Sequence, residues 1–290
     1  MQPPAQPTFD LVVATLGRSS ELEALLVSLE HQSYRSFRLV VVDQNDDDRV
    51  GEALTLHPGV EALRLRCEPG LSRARNAALP HVTADVVAFP DDDCVYPDGL
   101  LEAAARTLAE RPNLDGVSGQ AADPLGRPTG RWPTSRCTIE LDTVWNRANS
   151  HTIFLRRELL ERVGGFDEAL GLGSGTPWHS GEEIELLVRA LRLGARLEYE
   201  PSLVVLHPAR VLDPAAQVAL GRRDGASVGY ILARHGYPAR VVGRMLTRPV
   251  GGAVVCLLRR DSARARFHLD TLRGRVVGYR AGRRAGTVSL

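Results

Sequence analysis

Two largely apolar runs, residues 9–14 and 37–42, flank a segment in which Leu22, Leu25, Leu26 and Leu29 recur at i, i+3, i+4 and i+7. Runs of that length are strand-sized, and the leucine spacing is one face of a helix, so the segment reads strand, amphipathic helix, strand. Strands linked by helical crossovers lie parallel, which points to an α/β sheet. Ser20 followed by Glu23 has the spacing of a capping box and sets the expected helix start. The alternation continues with a strand at 63–66, a turn at Pro69-Gly70, a helix over 72–78 and an apolar run at 84–89. Downstream, Asp98 is expected to cap a helix that turns Leu101, Ala104, Ala105 and Leu108 inward, and a strand is expected at 114–119. Residues 121–150 are rich in Pro, Gly, Arg and Thr without a period and read as a long loop near a site. A strand at 152–155, a helix over 157–163 stopped by Gly164-Gly165, a helix from Glu182 closed by Gly194, and a strand at 203–206 complete the body.

Three carboxylates, Asp91, Asp92 and Asp93, end the 84–89 run, at the strand end where open α/β sheets bind ligands. A solvated acidic turn is one reading. The other is a hard divalent cation carrying a diphosphate, since Mg²⁺ and Mn²⁺ prefer carboxylate oxygen and keep phosphate in their shell. Glu182 and Glu183 open a helix, where the macrodipole favours them without any function. The same position keeps a carboxylate ionised, as a general base requires.

The chain has 290 residues, 43% hydrophobic and 24% charged, which excludes a disordered or fibrous protein and leaves room for one large α/β domain with an appendage. The opening residues lack a signal peptide's basic and apolar regions, and the longest apolar run, 250–258, is too short to cross a bilayer, so a cytoplasmic chain is expected. Cysteines 67, 94, 137 and 256 show neither Cys-x-x-Cys nor zinc spacing, so reduced thiols with packing roles are expected. The net charge of +1 conceals a division. Residues 1–208 carry 20 Arg against 31 Asp and Glu, or −11, whereas 209–290 carry 16 Arg against 4 Asp, or +12, and lysine is absent. The expected domains are therefore an acidic body, 1–208, and a basic helical region, 209–290. Arginines interleaved with aliphatics in the second suit an anionic membrane surface, with a solvated helical appendage as the plainer alternative. Nucleic acid is disfavoured, because no recognised binding module or aromatic platform accompanies the charge.

Six short motifs occur in order: Val12-Val13-Ala14-Thr15, Val41-Val42-Asp43, Arg75-Asn76, Phe89-Pro90-Asp91-Asp92-Asp93, Gly164-Gly165-Phe166-Asp167-Glu168, and Glu182-Glu183-x-x-Leu186-x-x-Arg189. Over residues 9–208 the series resembles the family-2 glycosyltransferases of GT-A fold. The resemblance implies a Rossmann-like, mostly parallel central sheet flanked by helices, here with a basic helical C-terminal appendage. It also implies a hexosyltransferase-like inverting enzyme that uses a nucleotide-diphosphate sugar, a divalent metal (Mn²⁺ or Mg²⁺) at a DxD motif, and a carboxylate base. By that likeness the metal falls to Asp91 and Asp93, with His207 at a strand end where relatives place a metal-binding histidine; a hydrogen-bonded structural histidine is the alternative. Thr15 and Asp43 match nucleobase and ribose positions, Arg75 is set for base or phosphate, and Asp91 and Asp92 line the donor pocket. A surface helix arginine is the alternative reading of Arg75. Glu183 occupies the family's catalytic Asp position, with Glu182 as its rival. The usual Asp-Asp-Gly-Ser after the second strand is partly replaced here by Gln44-Asn45. Trp178 and His179 could meet an acceptor sugar, or Trp178 could simply pack on the sheet.

The expected role is metal-assisted transfer to a glycan or lipid-linked acceptor in cell-surface glycan or glycolipid synthesis, by a cytoplasmic protein peripheral to the inner face of the membrane. A nucleotidyltransferase would be expected to carry a basic glycine-rich loop after the first strand, which residues 14–20 do not resemble. A non-catalytic sugar-nucleotide-binding protein would need no Glu182-Glu183 pair, and a glycoside hydrolase no metal triplet.

Overall fold

The computed structural model describes residues 6–208 and 212–288. Residues 1–5 of the opening stretch and Ala209, at the expected domain boundary, lie outside them. The chain forms two compact units: one runs to Phe166 and resumes at Leu186, and the other comprises Asp167–Glu185 and the chain from residue 210.

The first unit is built on an eight-stranded sheet. Its elements are β1 (Phe9–Thr15), α1 (Ser20–Glu30), β2 (Phe37–Asp43), α2 (Arg49–Leu56), β3 (Ala62–Arg66), α3 (Leu71–Ala78), β4 (Val86–Ala88), α4 (Leu100–Glu110), β5 (Gly116–Ala122), β6 (Cys137–Ile139), β7 (Ile153–Arg156), α5 (Arg157–Val163), α6 (Glu182–Arg192, which begins in the second unit) and β8 (Leu197–Leu206). The order across the sheet is β3-β2-β1-β4-β7-β5-β8-β6. Strands β1 to β4 are mutually parallel, β5 is parallel to β8, and β7 and β6 run against their neighbours. The sheet is therefore mixed but mostly parallel, as expected. Because β2 and β4 flank β1 on opposite sides, the loops after β1, β2 and β4 open at one sheet edge around a switch in strand order, where such sheets bind ligands.

Run length and periodicity placed the central elements correctly. Leu22, Leu25, Leu26 and Leu29 of α1 are all buried, and β1 and β2 are covered on both faces. The polar Asp10 in β1 is satisfied there by Arg38 and by the backbone N–H groups of Thr83 and Ala84.

Element starts differ in two places. The expected capping box does not form: α1 starts at Ser20 itself, and its hydroxyl donates to the neighbouring Glu21 carboxylate at 3.0 Å. Asp98 does not cap α4, because Gly99, with φ +76°, takes the cap position in the left-handed backbone that glycine adopts readily. The apolar run at 84–89 contributes only three residues to the ladder, since the chain leaves the sheet at Pro90, which has no N–H to donate. The loop expected at 121–150 contains β6, too short to show a period.

The second unit carries α7 (Pro214–Arg234), α8 (Ala239–Leu258) and α9 (Ser262–Ala285). Asp213 and Asp261 cap α7 and α9 by accepting from Ala216 N and Arg264 N at 2.8 and 2.9 Å. Helices α7 and α9 meet along glycines. A Cβ at Gly229 would lie 2.0 Å from the Arg275 carbonyl oxygen, and one at Gly278 would lie 1.9 Å from that of Ala226, so only glycine permits this backbone contact. Pro249 inside α8 leaves the Met245 carbonyl without its helical donor. The Arg275 guanidinium of α9 donates to that carbonyl instead. With a mean hydropathy of 1.5 in its best window, α8 is long and apolar enough to cross a membrane, unlike any other helix among the described residues. The uninterrupted run 250–258 understated it, because Gly243, Arg244, Thr247 and Arg248 break the run without breaking the helix.

Candidate active site

The carboxylates after β4 converge with two histidines that the sheet order brings to them. Strand β7 runs antiparallel to β4, with Ala88 opposite Phe154, so the residues just before β7 lie beside the end of β4. This places His151 Nδ1 at 3.2 Å from Asp91 Oδ2. His207 follows β8, with its Nε2 3.1 Å from Asp93 Oδ1 and 3.7 Å from Asp91 Oδ2. The two imidazoles stack, ring centroids 4.7 Å apart. Buried Nε2 of His151 has no hydrogen-bond partner. One ligand atom each from Asp91, Cys94, His151 and His207 fit within 4.8 Å of one another.

Charge in this cluster is divided unevenly. Burial would raise the Asp91 carboxyl, but the hydrogen bond and charge of His151, with Arg75 and His207, hold it well below the ordinary carboxylate range. Asp93 is likewise lowered against burial by His207 and Arg18. Asp92 is raised, chiefly by burial, although Thr15 and Arg18 oppose the shift. His207 is raised because Asp93 and Asp91 outweigh its burial. Burial pushes the Cys94 thiol up, so carboxylates and imidazoles are the effective donors for a cation. Arg18, on the loop after β1, lies 2.6 Å from Asp92 and 2.7 Å from Asp93.

Arg75, on α3, is 1% exposed and is no surface arginine. Its guanidinium lies against the rings of Phe89 and Phe166, which meet edge to face, 5.9 and 5.3 Å from their centroids, and reaches Asp91 Oδ1 at 3.3 Å. Thr15 is buried at the end of β1. Asp43, buried at the end of β2, accepts from Asn45 N and Nδ2 at 2.9 and 2.8 Å and from Arg64 Nε and Nη2 at 2.9 and 2.6 Å. These bonds, with Arg64's charge, hold its carboxyl low despite burial. The departures at Gln44-Asn45 have structural work: Asn45 Oδ1 accepts from Gly17 N at 2.6 Å and Gln44 Oε1 from Gly70 N at 2.7 Å, joining the loops around the site.

The motifs at Asn76, Gly164-Gly165-Phe166 and Arg189 form one knot. Asn76 donates to Phe166 O at 2.9 Å and accepts from Phe166 N at 2.7 Å. Gly165 carries no Cβ because one would sit 2.4 Å from Asn76 Oδ1. Arg189 of α6 donates to Val163 O and Gly165 O, both at 2.7 Å.

In the second unit, Glu182 and Glu183 open α6, and Glu182 is buried. One turn on, Glu185 meets His235 Nε2 at 3.0 Å, both side chains buried. Ser180 donates to Asp224 at 3.1 Å. Trp178 stacks on Tyr230 of α7 with centroids 4.4 Å apart, so it packs on a helix of its own unit.

Sequence reasoning missed His151 and Arg18. Both sit in aperiodic loops. The sequence offered for His151 only its place just before the strand expected at 152–155, and not the pairing with β4 that brings it in.

The glycosyl transferase family 2 model matches residues 10–165, more than half of the chain. The pre-mycofactocin glycosyltransferase of Mycobacterium tuberculosis is 29% identical over 229 residues, covering 72% of this chain and 45% of that protein. Glycosyltransferase AglE of Haloferax volcanii is 22% identical over 214 residues, covering 70% of this chain and 68% of AglE. The chain spans just under half the length of the first of these relatives. Among solved structures, the mannosyltransferase PcManGT from Pyrobaculum calidifontis, in complex with GDP-Man and Mn²⁺, aligns with a TM-score of 0.67 at 18% identity over 94% of this chain and 88% of that one. S. aureus TarS in complex with UDP-GlcNAc aligns at 0.58 and 18% over 95% and 92%. With a GT-A-like sheet and more than half its length matched, the chain belongs to glycosyl transferase family 2.

Proposed function

We propose that the protein transfers a sugar from a nucleotide-diphosphate sugar to an acceptor hydroxyl with inversion at the anomeric carbon. The observation that carries this reading is the convergence of Asp91, Asp93, His151 and His207 at the end of β4, with a buried His151 nitrogen that no protein group satisfies. A mixed carboxylate and imidazole set suits Mn²⁺, and Mg²⁺ less well. PcManGT binds GDP-Man with Mn²⁺, which supports the same assignment. Asp91, Asp93 and His207 would hold the ion, which supplies Lewis-acid stabilisation of the departing diphosphate.

The chain's own groups do the rest. Arg75 fixes Asp91, and Arg18 brings a guanidinium to the acidic cluster where diphosphate charge must be answered. Thr15, Asp43 and Asp92 line the donor side. Glu183 removes the acceptor proton, with Glu182 as its rival; attack from the face opposite the diphosphate inverts the anomeric centre. A glycan or lipid-linked acceptor, handled by a cytoplasmic protein peripheral to the inner face of the membrane, agrees with the basic second unit.

The test is sugar transfer from a panel of nucleotide sugars, GDP-Man and UDP-GlcNAc among them, to extracted glycolipid and glycan acceptors with Mn²⁺ or Mg²⁺. Label transfer from one donor, with the opposite anomer in the product by NMR, is expected. Absence of transfer with every donor, a retained anomer, or full activity in excess chelator would contradict the proposal.

A further inference from the structure

Helix α8 presents a buried and an exposed apolar stripe. Val242, Met245, Pro249 and Ala253, at i, i+3, i+7 and i+11, are buried. Val250, Val254, Leu257 and Leu258, at i, i+4, i+7 and i+8, form a second stripe beside it, and the last three are 51, 58 and 80% exposed. Arg244 and Arg248 precede this aliphatic tip, and Arg259, Arg260 and Arg264 follow it around the corner into α9, all exposed. Of the acids in residues 209–290, Asp213 and Asp261 cap helices and Asp270 pairs with Arg273.

We infer that the corner between α8 and α9 docks on an anionic lipid bilayer, its aliphatic tip entering the headgroup boundary while the flanking arginines meet lipid phosphates. An apolar stripe bracketed by cations on both sides has the charge pattern that an anionic interface complements. A protein partner would be expected to find aromatic anchors in the stripe, and it has none. The helix lies in the interface and does not span it. Spanning would carry Arg244 and Arg248 into hydrocarbon, and the buried face is already held by Arg275 bonding Met245 O. This deepens the proposed function and rests on it in one respect, that an enzyme docked this way takes a lipid-linked acceptor.

The experiment is sedimentation of the full chain with vesicles of phosphatidylcholine alone or with about one third phosphatidylglycerol. Binding to the anionic vesicles at low salt, and release by about 0.5 M NaCl, is expected. Arg259→Ser with Arg260→Asn should weaken binding about 30-fold, from two surface charges. Leu257→Ser with Leu258→Ser should weaken it at least as much, while GDP and UDP binding with Mn²⁺ stays as in the wild type. No binding to anionic vesicles, equal binding to neutral ones, or unchanged binding by both double variants would overturn the inference. So would a dimer in gel filtration that Leu257→Ser with Leu258→Ser dissolves, because the tip would then belong to a second copy. Vesicle binding without any sugar transfer would leave the docking surface standing and remove the enzymatic reading.

Discussion

His151 and His207 lie face to face, 16° between ring planes, and both address the same oxygen of Asp91 at 3.2 and 3.7 Å. Two imidazoles on one carboxylate, one of them also paired with Asp93, make a centre whose cation affinity depends on protons.

Affinity for Mn²⁺ should therefore rise with pH. His207 titrates above its ordinary 6.5, so below that raised value it is protonated, paired with Asp93 and unable to ligate. Isothermal titration should show affinity climbing across the window above 6.5, and His207→Gln should flatten the climb. Without metal the sign reverses for stability. A raised folded pKa contributes in full below 6.5 and is lost as pH rises through the folded value, so the metal-free melting temperature should lose this contribution over the same window.

Replacing Glu183 by Gln keeps size and removes the proton acceptor. Turnover should fall by about two to four orders of magnitude while nucleotide affinity holds. If Glu182→Gln shows that profile and Glu183→Gln does not, the base is Glu182.

Asn76→Ala strips both partners from the Phe166 backbone. The loss should be about 1–3 kcal/mol, read as a lower denaturation midpoint. Gly165→Ala should also destabilise, because its Cβ would meet the Asn76 oxygen at 2.4 Å. Unchanged midpoints would remove the knot from the account.

Gly278→Val should open the α7 and α9 contact, where even a Cβ would lie 1.9 Å from a carbonyl oxygen. A loss of at least about 1–3 kcal/mol is expected in denaturant unfolding. Gly243→Ala, with open space around its Cβ, is the control.

Strands β1 and β2 were legible as apolar runs because both their faces are covered, and helix α1 because burial of one face leaves a helical period. The Asp triplet was legible because it interrupts an apolar run at a strand's end. His151 and Arg18 left no such mark: aperiodic loops hold them, and the pairing of β4 with β7 that brings His151 in joins residues far apart in the chain. Arg75 was read as a ligand contact or a surface residue, since the Phe89 and Phe166 rings it packs against come from different motifs. Asp98 failed as a cap because the backbone at Gly99, not a side chain, starts α4.

The central claim is a metal-dependent nucleotide-sugar site at Asp91 and Asp93, and thermal unfolding with a panel of nucleoside diphosphates tests it most directly. One diphosphate with Mn²⁺ should stabilise the wild type, by about 2.7 kcal/mol at 100 times its dissociation constant. Excess chelator or Asp93→Asn should abolish the shift while leaving the protein folded. No stabilisation by any diphosphate, or an equal shift with chelator and in Asp93→Asn, would contradict the account.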